Sequence, residues 1–144
     1  MRTFSKIHGL AGLRIGYGYG SDELIRLLHR VRQPFNVNSV AQAAALAAME
    51  DEDHVTFCRQ ANLEGMLQWE SGCRELDLPY VPSQANFILV KVGNGLDVSK
   101  RLQTHGIIVR TLGGPLAEYL RISIGTRQQN GDALASLGNA MENI

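Results

Sequence analysis

The period of the apolar positions changes several times along the 144 residues, and each change marks an element. From Phe4 to Tyr19 the hydrophobic residues are broken up by glycines too densely for a helix, which predicts short strands around a loop. Ser21 followed by Asp22 and Glu23 predicts a helix start, with a capping hydroxyl and acids in the first turn. Leu24, Ile25, Leu27, Leu28 and Val31 give that helix an apolar face through Arg32, and Pro34 stops it. Asn38 or Ser39 caps a second helix. Its alanine run from Ala41 to Ala48 suits close packing, and Asp51 to Asp53 mark its end or a kink. A third, longer helix runs to about Leu76 and carries Val55, Phe57, Leu63, Met66, Leu67 and Trp69.

Pro79 and Pro82 bracket a change of character. Phe87 to Val92 is rich in β-formers, Gly93 to Gly95 is a turn, and Leu96 to His105 is a short amphipathic helix ended by Gly106. Ile107 to Arg110 reads as a second strand, Gly113 to Pro115 as a turn, and Tyr119 to Ile124 as a third strand. A last helix has Leu134, Leu137 and Met141 on one face. The fold class expected is α/β. Residues 1–50 form one region, residues 51–78 a connecting long helix, and residues 79–144 a small α/β domain.

Composition narrows the class. Hydrophobic residues at 44% and charged residues at 19% describe a globular chain long enough for one ordinary domain with its own core. The formal net charge is zero, so no electrostatic footprint for nucleic acid or an anionic membrane is expected, and any arginine role is local. Cys58 and Cys73 are too few for a disulfide scaffold. They lack metal-ligand spacing with His8, His29, His54 and His105, and read as reduced thiols on helices of a cytosolic protein. No apolar run approaches a membrane span.

The candidate chemistry begins in the glycine-dense opening. Lys6 lies between Thr3, Ser5 and a run of glycines, with Arg14 eight positions on. Hydroxyls and a guanidinium are good phosphate partners, and an amine beside them suits a Schiff base to pyridoxal phosphate. In an extended segment Thr3 and Ser5 share a face, and Phe4, Ile7 and Leu10 are placed to desolvate the amine. Arg14, between Leu13 and Ile15, reads as an arginine in an apolar strand that needs an anion, unless it reaches solvent. Arg110 and Arg121 repeat that pattern. If their strands are neighbours, both can address one anion; the alternative is a salt bridge to Glu118 or Asp132. Gly16 to Ser21 lacks the spacing of a dinucleotide loop. His8, Tyr17 and Trp69 are expected to serve packing.

The stretch Thr3-Phe4-Ser5-Lys6, followed by Gly9-Leu10-Ala11-Gly12-Leu13-Arg14-Ile15-Gly16-Tyr17, resembles the cofactor-lysine motif of the class I/II, fold-type-I pyridoxal-phosphate aminotransferases. Pro34 to Ser39 with the alanine helix, Ser83 to Val90, Gly106 to Arg110 and Leu120 to Thr126 are similar to the histidinol-phosphate branch. The resemblance implies that Lys6 carries the cofactor and moves the proton between substrate Cα and cofactor C4′. It gives Thr3, Ser5 and Arg14 to the cofactor phosphate, and Arg121 to the anionic end of the substrate. In the histidinol-phosphate branch it gives Arg110 and Arg121 together to the substrate phosphate. Histidinol phosphate with 2-oxoglutarate, in histidine biosynthesis, is the implied substrate pair; aromatic or other amino acids are the alternative. The full-length enzyme is expected to be a cytoplasmic homodimer.

Two departures bear on these expectations. Ile7 is bulkier than the small residue common after the lysine, and Gln128 and Gln129, expected at the surface, replace acidic residues usual after Thr126. The motif's position also implies a long preceding part. In the family it supplies an aspartate for the pyridine nitrogen, an asparagine and tyrosine for the ring hydroxyl, and most of the large-domain sheet. The chain is therefore expected to be the C-terminal part of such an enzyme, residues 1–50 being a remnant of the cofactor-binding domain. Alone it is expected to be inactive; a non-catalytic remnant that at most binds pyridoxal phosphate is the second reading.

Overall fold

The computed structural model describes residues 1–142. It divides into two compact units, Met1–Arg59 and a second beginning at Gln60.

The first unit opens with a minimal hairpin. Strand β1 (Arg2–Thr3) pairs antiparallel with β2 (Gly16–Tyr17), with Arg2 facing Tyr17 and Thr3 facing Gly16. The pairing continues one step inward, because Phe4 N donates to Ile15 O at 3.2 Å. A Cβ on Gly16 would stand 2.7 Å from Arg2 O, which explains a glycine there. Helix α1 (Asp22–Val31) starts where expected, the Ser21 hydroxyl accepting from Leu24 N. Asn38, not Ser39, caps α2 (Ser39–Glu50), its side-chain oxygen accepting from Ala41 N at 2.8 Å. Asp51 then does the same for His54 N at the start of α3 (Glu52–Glu75), so the acidic run ends one helix and begins the next.

Burial in this unit departs from the sequence pattern. Leu24, Leu27, Leu28 and Val31 do share a face of α1, yet all four are exposed and no residue of the helix is buried. In α2 the buried residues are Ala41 and Ala45, with Ala44 and Ala48 half-buried beside them, while Leu46 and Met49 face solvent. A stripe at i, i+3, i+4 and i+7 is one helical face. Here small size, not hydrophobicity, selects the packed side.

The second unit carries a four-stranded antiparallel sheet, built from β3 (Tyr80–Val81), β4 (Phe87–Lys91), β5 (Arg110–Thr111) and β6 (Tyr119–Ser123), in the order β3-β4-β6-β5. β4 and β5 both run antiparallel to β6 and so parallel to each other, and such a pair needs a crossover. Helix α4 (Gly95–Thr104) supplies it. Gly106, at φ +76, is the left-handed residue that ends the crossover helix. The expected strand from Ile107 shrinks to Arg110–Thr111, where pairing with β6 begins. β3, absent from the sequence reading, lies between Pro79 and Pro82 at the sheet edge, where a missing backbone N–H is tolerated.

Alternation fixes the faces of the sheet. Ile88, Val90, Leu120 and Ile122 point into one core with Met66, Trp69 and Cys73 of α3, Val98 and Leu102 of α4, and Ala133, Leu137 and Ala140 of α5 (Arg127–Glu142). Leu63 and Leu67 of α3, and Phe57 earlier on the same helix, are exposed. Burial pushes the Cys73 thiol up to about 11, in keeping with an unreactive core cysteine. Among the described residues no helix is long and apolar enough to cross a membrane.

Candidate functional site

In the first unit the hairpin gathers the residues singled out at the chain start. The register pairs Arg2 with Tyr17 and Thr3 with Gly16, and Phe4 N donating to Ile15 O continues it by one step, so the hairpin closes at the base of a loop running from residue 5 to residue 14. Phe4 is the buried anchor, 3% exposed, with its ring centroid 5.0 Å from His8 and 5.7 Å from Tyr17. Its carbonyl accepts from Leu10 N at 3.0 Å, closing the loop that holds Lys6. Lys6 begins a turn in which Gly9 N donates to Lys6 O at 2.9 Å, and Gly9 has φ +69. The hydroxyl of Thr3 accepts from Ser5 N at 3.1 Å, leaving its own O–H available to an anion.

Two expectations change. Phe4, Ile7 and Leu10 do not enclose Lys6: Phe4 turns to the ring cluster, and Lys6 is exposed. Arg14 does not sit in a strand. It follows a single 3₁₀ turn at Ala11–Leu13 and adopts a left-handed conformation, φ 52 and ψ 47. Its side chain is exposed and folds back so that Nη1 donates to Ala11 O at 2.7 Å, using one of its five N–H groups. Two hydroxyls, a guanidinium and a primary amine on one loop are a donor set that fits a phosphorylated aldehyde.

In the second unit Arg110 and Arg121 face each other directly across the β5–β6 pair. Both line an open cavity of about 430 Å³ with Ile108, Val109, Thr111 and Ser123. Glu118, one alternative partner, is 3.1 Å from Lys91 instead, and this contact raises the Lys91 amine above its ordinary range. Among the described residues neither Arg110 nor Arg121 forms an ion pair, with Asp132 or any other acid. Arg121 lies over the Phe87 ring, 4.0 Å from its centroid. Phe87 is diagonal to Arg121 on the sheet face, since it faces Ser123. A cation over an aromatic face is attracted by the ring quadrupole, so Phe87 helps to hold the Arg121 guanidinium at the cavity. Only strand register marks Phe87 as part of this site. Like charges opposite each other weaken a sheet, so this pair carries an electrostatic cost.

The turn after β6 holds a second feature that spacing did not announce. Asn130 is 1% exposed and fully employed: its oxygen accepts from Trp69 Nε1 at 3.1 Å and Gly125 N at 2.9 Å, and its amide donates to Gln68 Oε1 and Gly125 O. It pins the exit of the strand that bears Arg121. Gln129 is exposed as expected but has a structural task, since Thr126 and Gln129 cap each other reciprocally. A larger groove, about 850 Å³, runs along α1 past Leu28, Val31 and Phe35. Its lining is mainly apolar and lacks a converging set of charges.

Comparison with known proteins identifies the family. The family model described as aminotransferase class I and II matches residues 1–137. The chain is 50% identical over 131 residues to a histidinol-phosphate aminotransferase of Akkermansia muciniphila, covering 90% of this chain and 36% of that protein. It is 52% identical over 134 residues to the protein of the same name from Moorella thermoacetica, covering 90% and 34%. Among solved structures it resembles the histidinol-phosphate aminotransferase of Sinorhizobium meliloti in complex with pyridoxal-5'-phosphate. The TM-score is 0.91 at 29% identity, with 99% of this chain and 40% of that chain covered. The chain thus spans well under half the length of the relatives it matches.

Proposed function

The chain belongs to the class I and II aminotransferase family, with the fold-type-I architecture, and on that premise we propose that it provides the lysine-bearing and substrate-anion-binding parts of a transaminase. The observation that carries the reading is the hairpin that brings Thr3, Ser5, Lys6 and Arg14 to one loop. Thr3, Ser5 and Arg14 would hold the phosphate of pyridoxal phosphate, and Lys6 would bind its aldehyde carbon. The bound cofactor would supply an electron sink for the substrate Cα. The Lys6 amine would move the proton between the substrate Cα and the cofactor C4′.

Arg110 and Arg121 would take the anionic end of the substrate. Two guanidinium groups in register suit a phosphate dianion better than a single carboxylate, which favours histidinol phosphate with 2-oxoglutarate over unphosphorylated aromatic amino acids. The names of the relatives support the same choice. The division into residues 1–50, 51–78 and 79–144, and a homodimer as the state of the full-length enzyme, belong to the same proposal.

Adding pyridoxal phosphate to the chain should give a shifted cofactor absorbance, and borohydride should fix the cofactor on Lys6, found by peptide mass. Lys6→Ala should abolish both. On a full-length chain carrying this sequence, glutamate-dependent amination of imidazole-acetol phosphate should be seen. Reaction with unphosphorylated aromatic keto acids only would overturn the substrate assignment.

A further inference from the structure

The turn that carries Lys6 is gripped from a point 47 positions away in the chain. His54 Nε2, in the first turn of α3, lies 3.0 Å from the carbonyl oxygen of Ile7. A carbonyl only accepts, so the nitrogen facing it carries the proton and donates. Cys58, one helical turn on, sets its sulfur 3.4 Å from the same nitrogen, where it can act as a second, weaker acceptor. The ring is placed at its root as well, since Asp51 Oδ1 accepts from His54 N at 2.9 Å.

The identity of the gripped atom gives the contact its meaning. Lys6 to Gly9 form a β-turn closed by Gly9 N donating to Lys6 O. Ile7 and His8 are its central residues, and the peptide between them is the one whose flip separates the two common turn types. His8 does not have a positive φ, which rules out the type II arrangement and leaves the Ile7 carbonyl on the side where His54 meets it. Among the described residues no backbone N–H takes that carbonyl. With the central peptide released, the closing bond at Lys6 O loses support, and the direction in which the backbone presents Lys6 is no longer fixed.

We propose that His54 is a positioning residue that locks the central peptide of the Lys6–Gly9 turn and so aims Lys6. The inference deepens the proposed function, because it rests on Lys6 being the cofactor lysine. His54 is itself exposed, so the bond adds little to global stability and its loss is local.

The test uses the full 144-residue chain as wild type, His54→Phe, which keeps a ring but removes the donor, and His54→Gln, which restores an N–H. Amide exchange at Gly9 and the backbone order parameter of Lys6 report the turn without cofactor. In His54→Phe, Gly9 should exchange about three- to tenfold faster and Lys6 should become more mobile, with His54→Gln recovering most of both. Borohydride trapping of pyridoxal phosphate on Lys6 should slow in the same order. Unchanged Trp69 fluorescence in all three would show the second unit intact. If Gly9 and Lys6 behave alike in all three chains, the positioning role is overturned, even where trapping shows Lys6 to be the cofactor lysine. If they respond as expected while no chain traps cofactor, His54 still sets the turn and the reading of the site as a cofactor site is what fails.

Discussion

Between Met1 and Arg59 the described apolar side chains that reach burial are Phe4, Ala41 and Ala45; beyond Gln60 a continuous core runs from Met66 to Ala140. Both regions have well-capped helices, so local structure is not what separates them. The difference lies in what lies against the helices. In the second unit α3, α4 and α5 cover one face of a sheet, and every large side chain of that face is sealed. In the first unit α1 keeps Leu24, Leu27, Leu28 and Val31 exposed beside the groove bounded by Phe35. Hydrogen bonds and the single buried ring of Phe4 therefore hold the Lys6 loop, whereas a continuous core holds the strand of Arg121. Burial of apolar area dominates folding energy, so the Lys6 loop and the strand of Arg121 rest on supports of very unequal strength.

Thiol labelling should separate the two regions most widely. Cys58 is half-buried in the first unit and Cys73 is at 0% exposure in the second. Under native conditions Cys58 should react directly, and Cys73 only through opening of its unit, slower by roughly a thousandfold or more if that costs about 4 kcal/mol. Similar rates, measured by mass spectrometry over time, would erase the contrast.

Trp69→Ala should come next, destabilising the second unit by about 3–5 kcal/mol in urea. It empties the largest fully buried site and strips Asn130 of a donor. The hairpin contacts of Phe4 with Ile15 and Leu10 should persist in the same sample, as read from their amide shifts.

A smaller effect is tied to pH. Burial lifts the Cys73 thiol from an ordinary 9.0 to about 11. Below pH 9 both folded and unfolded chains keep this proton. Between 9 and 11 the unfolded chain releases it and the folded chain does not, so stability falls as pH rises, by up to roughly 2–3 kcal/mol. The urea midpoint should drop from pH 8 to pH 10 more in wild type than in Cys73→Ala; equal drops would assign the loss to other groups.

At the small end, Leu27→Ser on the exposed face of α1 should move the midpoint by less than about 0.5 kcal/mol. A cost of 2 kcal/mol or more would mean that this face is covered in solution, and concentration dependence of the midpoint would then identify a second copy as the cover. The exposed apolar face of α1 also leads us to expect self-association at high concentration.

Much of the fold was legible because its signals are local. Ser21 and Asn38 are side chains that satisfy orphan helix N–H groups a few residues on, and Gly106 is suited to the left-handed residue after α4. β-rich composition marked Phe87–Lys91 and Tyr119–Ser123 as strands, while their inward residues, Ile88 and Val90 with Leu120 and Ile122, were decided by packing. β3 escaped notice because two residues between prolines have no period to read. The apolar pattern of α1 was also misleading in one respect: an amphipathic helix announces that it has a face to bury, not that the chain in hand buries it.

For the candidate site, residue type and motif spacing singled out the candidate side chains: Lys6 with its hydroxyls and Arg14 at the start, and the two strand arginines later. Only the tertiary structure decided how they stand. Register across β5 and β6 set Arg110 against Arg121, the diagonal to β4 put Phe87 under the guanidinium, and α3 brought His54 to the Ile7 carbonyl. These are contacts between residues far apart in the chain. Sequence encodes local geometry through sterics and capping, but the partners of a strand or loop emerge only when the whole core selects one arrangement.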